Sequence, residues 1–173
     1  MAALNWGGPA LVGALVAFLL NRAYDWHRNS DRARGLLRGI LLEIDYAAEC
    51  ANEYNVVYAS KKIWSPAYRL GTEFMRTGLP TLIELGALRA GEARIVFELY
   101  IACTEANRCL DQVAALIPEY EESLAKARRA ARETSRTRGK FKSVSEKAPT
   151  ARGAAQAALE RMAWYEQQYD SGS

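Results

Sequence analysis

The chain is poor in the residues that carry most enzyme chemistry. One histidine, His27, and three cysteines, Cys50, Cys103 and Cys109, stand among 173 residues. The cysteines form neither an even disulfide framework nor a close-spaced metal pair, and a single imidazole does not complete a zinc site with them. They read as reduced, buried thiols. Proline is scarce, five in all, and none falls between Pro9 and Ile63, so nothing in that span forbids one long helix. A glycine-rich phosphate loop, a GxSxG nucleophile elbow and a carboxylate pair in an apolar setting are also missing. These gaps speak against a disulfide scaffold, a zinc domain and the commoner nucleotide-binding and hydrolase folds, and no cofactor is expected.

What the chain has in plenty is helix-forming residues. Half of it is hydrophobic and a quarter charged, with alanine, leucine, arginine and glutamate prominent, a profile that predicts an all-α protein with one bundle-sized core. The net charge of +3 hides a strong asymmetry. Ten of the basic residues and only two acidic ones lie between Lys126 and Arg152, so one segment carries the positive character and the remainder is net acidic.

The stretch "PALVGALVAFLLNRAYDW", Pro9 to Trp26, has no charge before Arg22. From Leu4 to Tyr24 the chain is long enough for a helix to cross a hydrocarbon core of about 30 Å, for which about 20 residues are needed. Trp6 stands near one end and Tyr24, Trp26 and Arg28 near the other, where interfacial rings and cations belong. No basic residue precedes the apolar stretch, which argues against a cleaved signal. The arginines after it predict a single-pass protein of the bacterial inner membrane, with its N-terminus outside and its C-terminal domain in the cytoplasm. Ala10 with Ala14, and Gly13 with Ala17, form small-xxx-small pairs through which copies can pack in lipid.

Beyond the anchor, expected over residues 1–26, a helical bundle is expected over 27–134. Leu36, Leu37, Ile40, Leu41, Ile44, Ala47, Ala48, Ala51, Tyr54 and Tyr58 recur at helical spacing, while Glu43, Asp45, Glu49 and Glu53 read as a solvated face. Two short helices are expected between Ser65 and Gly91, broken at Gly78-Leu79-Pro80. A return helix is then expected from Glu92 to Thr134, with Pro118 as a kink. Residues 135–150 read as a basic loop and 151–173 as a last helix and tail that presents Ala154, Ala155, Ala158, Leu159, Met162 and Tyr165 to the bundle. On this layout the return helix carries Arg128, Arg129, Arg132, Arg136, Arg138, Lys140 and Lys142 back to anionic headgroups, or to RNA.

Arg22 and His27 match the arginine–histidine spacing of ribonucleases of the higher-eukaryote-and-prokaryote nucleotide-binding helical class, in which such a pair acts on the ribose 2′-hydroxyl and the phosphate. The whole outline, one N-terminal span, a cytoplasmic helical bundle and the Arg22–His27 spacing, resembles the small accessory membrane proteins of type VI-B CRISPR loci. The resemblance implies a non-enzymatic homo-oligomer that forms a membrane pore and strengthens antiviral defence, with a bundle related to that nuclease fold. The partners expected are the lipid bilayer, further copies of the chain, and RNA or an RNA-guided effector complex. The alternative is a membrane-tethered RNA-binding protein or ribonuclease using Arg22, His27 and the Lys126–Arg152 segment.

Overall fold

The computed structural model describes residues 7–60, 65–119 and 123–170. Among them stand four α-helices, α1 (Gly7–Ser60), α2 (Glu73–Glu84), α3 (Ala90–Leu116) and α4 (Leu124–Asp170), with a 3-10 turn over Ile117–Glu119 and no strand. The architecture is all-α, as composition predicts.

Three of the helices are built on the same seam. In α1 the buried residues Ala33, Leu37, Ile40, Ile44, Ala47, Ala51 and Tyr54 alternate steps of four and three. In α3 the same rhythm runs through Val96, Leu99, Cys103, Ala106, Leu110 and Val113. An apolar residue at this mean spacing keeps one stripe facing its partners when helices lie nearly parallel, so long helices pack side by side rather than cross. All three cysteines are free and buried, two of them in the α3 core. Burial pushes the Cys103 thiol up to about 12, which removes it as a nucleophile at neutral pH.

The columns form a ring in which each touches its neighbours: α1 on α2, α2 on α3, α3 on α4 and α4 on α1. α4 runs antiparallel to both α1 and α3, because its early residues meet their late ones. Phe141 stacks on Tyr54 and Lys140 pairs with Glu105, while further along Arg152 pairs with Asp45 and Arg161 with Glu92. The fourth column is composite. Residues 65–72 are irregular and are tied to their neighbours through side chains. Asn107 accepts from the Leu70 N–H at 2.8 Å and donates to the Leu70 carbonyl at 2.9 Å, and the Tyr68 hydroxyl donates to the Cys50 carbonyl at 3.2 Å. Glu43 then starts α2: its two carboxylate oxygens accept from the Phe74 and Met75 N–H groups, both at 2.8 Å, satisfying donors that a helix start leaves open. Glu43 is therefore a helix cap and Asp45 a partner of Arg152, not members of an idle solvated face. At the crossing the Phe74 ring lies directly against Gly39, where a Cβ would collide with it.

Four expectations about the chain path are corrected. α2 is one helix running through Gly78 and Pro80, not two short ones. α3 ends at Leu116 and Pro118 sits in the turn after it, so the return helix to Thr134 does not exist as one element. Residues 135–150 are not a loop, since α4 is continuous through them and through Pro149. The boundary at 151 is likewise absent. Ala130, Thr134, Thr137, Phe141, Val144, Ala148, Ala151, Ala155 and Ala158 supply the same four-three seam and are all buried. Thr134 and Thr137 turn their hydroxyls back to the carbonyls of Ala130 and Glu133, at 2.9 and 2.8 Å, and so enter the core with their polar atoms satisfied. Both prolines face outward, where water reaches the carbonyl that a helical proline leaves without a donor.

Candidate membrane-facing end

The bundle does not begin where α1 begins. Every described side chain from 15 to 29 is exposed, and Ser30 is the first to be buried. Leu15, Val16, Phe18, Leu19 and Leu20 are 48–65% exposed. Because successive residues turn by about 100°, these five cover a little over half of the helix circumference, and the exposed Ala17 lies in the sector they leave. No face of this stretch is reserved for the bundle. A helix stretch that is apolar on all sides is ordinarily buried, in lipid or against other protein. Below it come Arg22, Tyr24, Trp26, Arg28 and Arg32, also exposed, a collar of cations and amphipathic rings.

The fold adds residues to this collar that lie far away in sequence. The last turns of α4 return to the end of the bundle from which α1 projects, and Arg161, Met162 and Tyr165 share a cavity of about 300 Å³ with Trp26, Ser30, Ala33 and the α2–α3 turn at Gly86. Gly86 has φ +68, the left-handed conformation that favours glycine after a helix. Trp164 packs edge-on against Tyr165 at 5.2 Å, and both remain about half exposed. Two exposed aromatic side chains, Trp26 and Tyr165, thus meet at the base of the apolar projection, with Trp164 packed on Tyr165. Sequence reading assigned Tyr165 to the bundle core and passed over Trp164; only the direction of α4 shows where they stand.

A charged clamp holds α4 in that position. Arg161 Nη1 and Nη2 lie 2.7 Å from Glu92 Oε1 and Oε2, and Nη2 also donates to the Ala87 carbonyl at 2.9 Å. Glu92 Oε2 accepts from the Arg89 N–H at 2.8 Å as well, capping α3. The Arg161 guanidinium holds the Glu92 carboxyl below the usual carboxylate range. Since this carboxyl is more acidic folded than unfolded, its contribution is complete above the unfolded pKa and is lost as pH falls through the folded one. The wild-type melting temperature should therefore fall more steeply than that of Glu92→Gln between about pH 6 and pH 3, with a gap of about 1–2 kcal/mol at neutral pH. Parallel melting curves across that range would mean that the Arg161–Glu92 pair does not stabilise the fold.

No family model, curated protein or solved structure matches this chain. Trp6 lies outside the described residues. The backbones of Ala10, Gly13 and Ala14 belong to α1, but their side chains lie outside the described set; Ala17 is described and exposed. Among the described residues no helix is long and apolar enough to cross a membrane. The expected span starts at Leu4, before the described part of α1.

The other sequence candidates separate. Arg22 and His27 both stand on the exposed projection, about 140° apart around the helix. His27 Nε2 lies 3.6 Å from Asp31 with 69% of its side chain exposed. The two side chains do not converge on one reacting atom. Among the described residues no group of three or more His, Cys, Asp or Glu can hold a metal ion. Arg128, Arg129, Arg132, Arg136, Arg138, Lys140 and Lys142 lie at the opposite end of the bundle, at the level of Tyr54 and Tyr58 of α1. The expectation that they return to the headgroups at the base of α1 is corrected: the chain reverses after Leu116, so α4 starts at the far end and brings its C-terminal turns to the base.

Proposed function

We propose that the protein is a membrane-anchored helical bundle whose N-terminal helix inserts in lipid, brings copies together and perturbs the bilayer. The observation that carries this reading is the all-round exposure of the apolar residues 15–20 directly above an arginine and aromatic collar. Buried in lipid, that surface loses contact with water, and the collar lies at headgroup depth. The arginines on the bundle side support a cytoplasmic bundle with the N-terminus outside. The resemblance to the accessory membrane proteins of type VI-B CRISPR loci supports a role in bacterial antiviral defence, with RNA or an RNA-guided effector complex as the partner of the bundle. Enzymatic chemistry has no part in it, because Arg22 and His27 point apart and lie in the collar.

The test is dye release from vesicles of neutral and anionic phospholipid carrying the full chain, with crosslinking to read assembly. Gly13→Leu combined with Ala14→Leu retains hydrophobicity but forces neighbouring helices apart, a loss of about 1–2 kcal/mol per helix pair. Dye release should drop at least tenfold and the crosslinked ladder should collapse toward monomer, while His27→Ala changes neither. Normal release from the leucine double variant together with loss in His27→Ala would transfer the function to the arginine–histidine pair.

A further inference from the structure

The fold divides the positive charge of α4 into two sets. One set closes the bundle. Lys140 reaches Glu105, Lys147 lies 3.2 Å from Glu98, Arg152 lies 2.8 Å from Asp45, and the Arg138 guanidinium stands 4.8 Å over the Tyr58 ring. The other set faces away. Arg128, Arg129, Arg132, Arg136 and Lys142 are all exposed, on the side of α4 opposite the buried Ala130, Thr134, Thr137 and Phe141. Among the described residues no carboxylate lies within ion-pair reach of Arg128, Arg129 or Arg132. The remaining two have only loose contacts within α4, Arg136 with Glu133 at 3.9 Å and Lys142 with Glu146 at 3.8 Å. Gly139 lies on the same face with open space around it. The stripe extends about 21 Å along the helix.

Such a stripe costs something to keep, because like charges on one helix face repel. Its partner must be an anion, and three sources are distinguishable by what else they need. Headgroups of the membrane holding α1 are too distant: the nearest part of the stripe, Lys142, stands at the level of Tyr54, about 42 Å along α1 from Trp26, against a screening length of about 8 Å in physiological salt. An acidic protein would be expected to seat its contact on an apolar or aromatic centre. The outward positions between 128 and 142 offer arginine, lysine, serine and glycine, and no exposed aromatic. A chain of phosphates needs arginines and lysines alone.

We propose that the outward face of α4 from Arg128 to Lys142 binds the phosphate backbone of a nucleic acid, without reading its sequence. The arginines supply forked donors matched to phosphate oxygens. Without a ring on this face there is no platform on which bases can stack, so affinity comes from counterion release and is indifferent to base identity. This places nucleic acid at the end of the bundle remote from the collar, and the proposal stands whether or not α1 crosses a bilayer.

The experiment is fluorescence anisotropy of two labelled 20-nucleotide single-stranded RNAs of unrelated sequence, titrated with the full chain in an uncharged detergent at several salt concentrations. Both RNAs should bind within about twofold of each other, with the logarithm of affinity falling against that of salt at a slope near −3.5 if all five cations engage, at about −0.7 each. Arg128→Glu, Arg129→Glu and Arg132→Glu together should weaken binding more than a hundredfold and flatten the slope by about 2. Circular dichroism melting should leave that variant unchanged, since none of the three touches the core. Lys147→Gln, from the inward set, should leave affinity within about twofold, because the stripe is untouched. Absence of binding by the wild type, equal binding by the reversal variant, or a preference for one RNA that survives high salt would overturn the proposal. So would competition by anionic vesicles at lower phosphate concentration than RNA, which would return the stripe to a lipid surface.

Discussion

Aspartate at both Phe18 and Leu19 should move the protein from the carbonate-resistant membrane fraction to the soluble one, with no change in the melting temperature of the bundle. Both side chains are more than half exposed and lie before Ser30, where burial begins. Neither packs on the core, so the fold has no stake in them. Lipid does: each aspartate at the middle of a membrane helix costs about 2.5–3.5 kcal/mol, and each apolar side chain it replaces contributes about 0.3–0.6 kcal/mol in the other direction. Two substitutions together amount to about 6–8 kcal/mol, enough to reverse an insertion equilibrium by several orders of magnitude. Carbonate washing followed by immunoblotting gives the partition, and thermal denaturation of the released variant gives the fold. A variant that stays in the membrane would place the attachment elsewhere, and one that loses its melting transition would mean that the projection is part of the core.

Phe141→Ala should be the most damaging single substitution in the bundle. The ring is fully buried and stacks on Tyr54 with 4.2 Å between centroids and 10° between planes. Removing it deletes a large buried apolar surface and leaves a cavity between α4 and α1, at a cost of about 3–5 kcal/mol. For a domain of this size that lowers the melting temperature by about 10 °C or more. Phe141→Leu should lose less than half as much, since most of the volume remains. Chemical denaturation of the two variants decides the point. A loss below about 1 kcal/mol for Phe141→Ala would restore residues 135–150 to a solvated loop, for which the identity of residue 141 is nearly irrelevant.

The contrast between α3 and α4 explains which elements were legible. In α3 the seam is made of Val96, Leu99, Cys103, Leu110 and Val113, whose hydrophobicity marks the period without help. In α4 the same seam is made of alanines, two threonines, one valine and one phenylalanine, set among arginines, lysines, serines, two glycines and a proline. Residue-type averages label that stretch a basic loop. What carries the information is the four-three spacing of small side chains, which becomes a core only because α1 and α3 lie close enough to bury them and because the threonines bond back to their own helix. Short steps of sequence also misled at Gly78-Leu79-Pro80. There α2 continues with Pro80 facing outward, where water reaches the carbonyl left without a donor.

Amino-acid order alone determined the helical class, the seams of α1 and α3, the uncharged stretch ending at Arg22 and the concentration of positive charge between Lys126 and Arg152. Each of these depends on residues close together in the chain, where periodicity and composition are direct physical signals. Tertiary structure alone decided that α4 runs back along α1 and α3, because the reversal after Leu116 turns on where the chain packs and not on any local pattern. That single direction brings Tyr165 beside Trp26, spends Lys140, Lys147 and Arg152 on Glu105, Glu98 and Asp45, and leaves Arg128, Arg129 and Arg132 facing solvent at the far end. Which charges are inward partners and which are outward contacts is a property of two surfaces meeting, and residues 35 to 107 positions apart in the chain carry no mark of each other until they do.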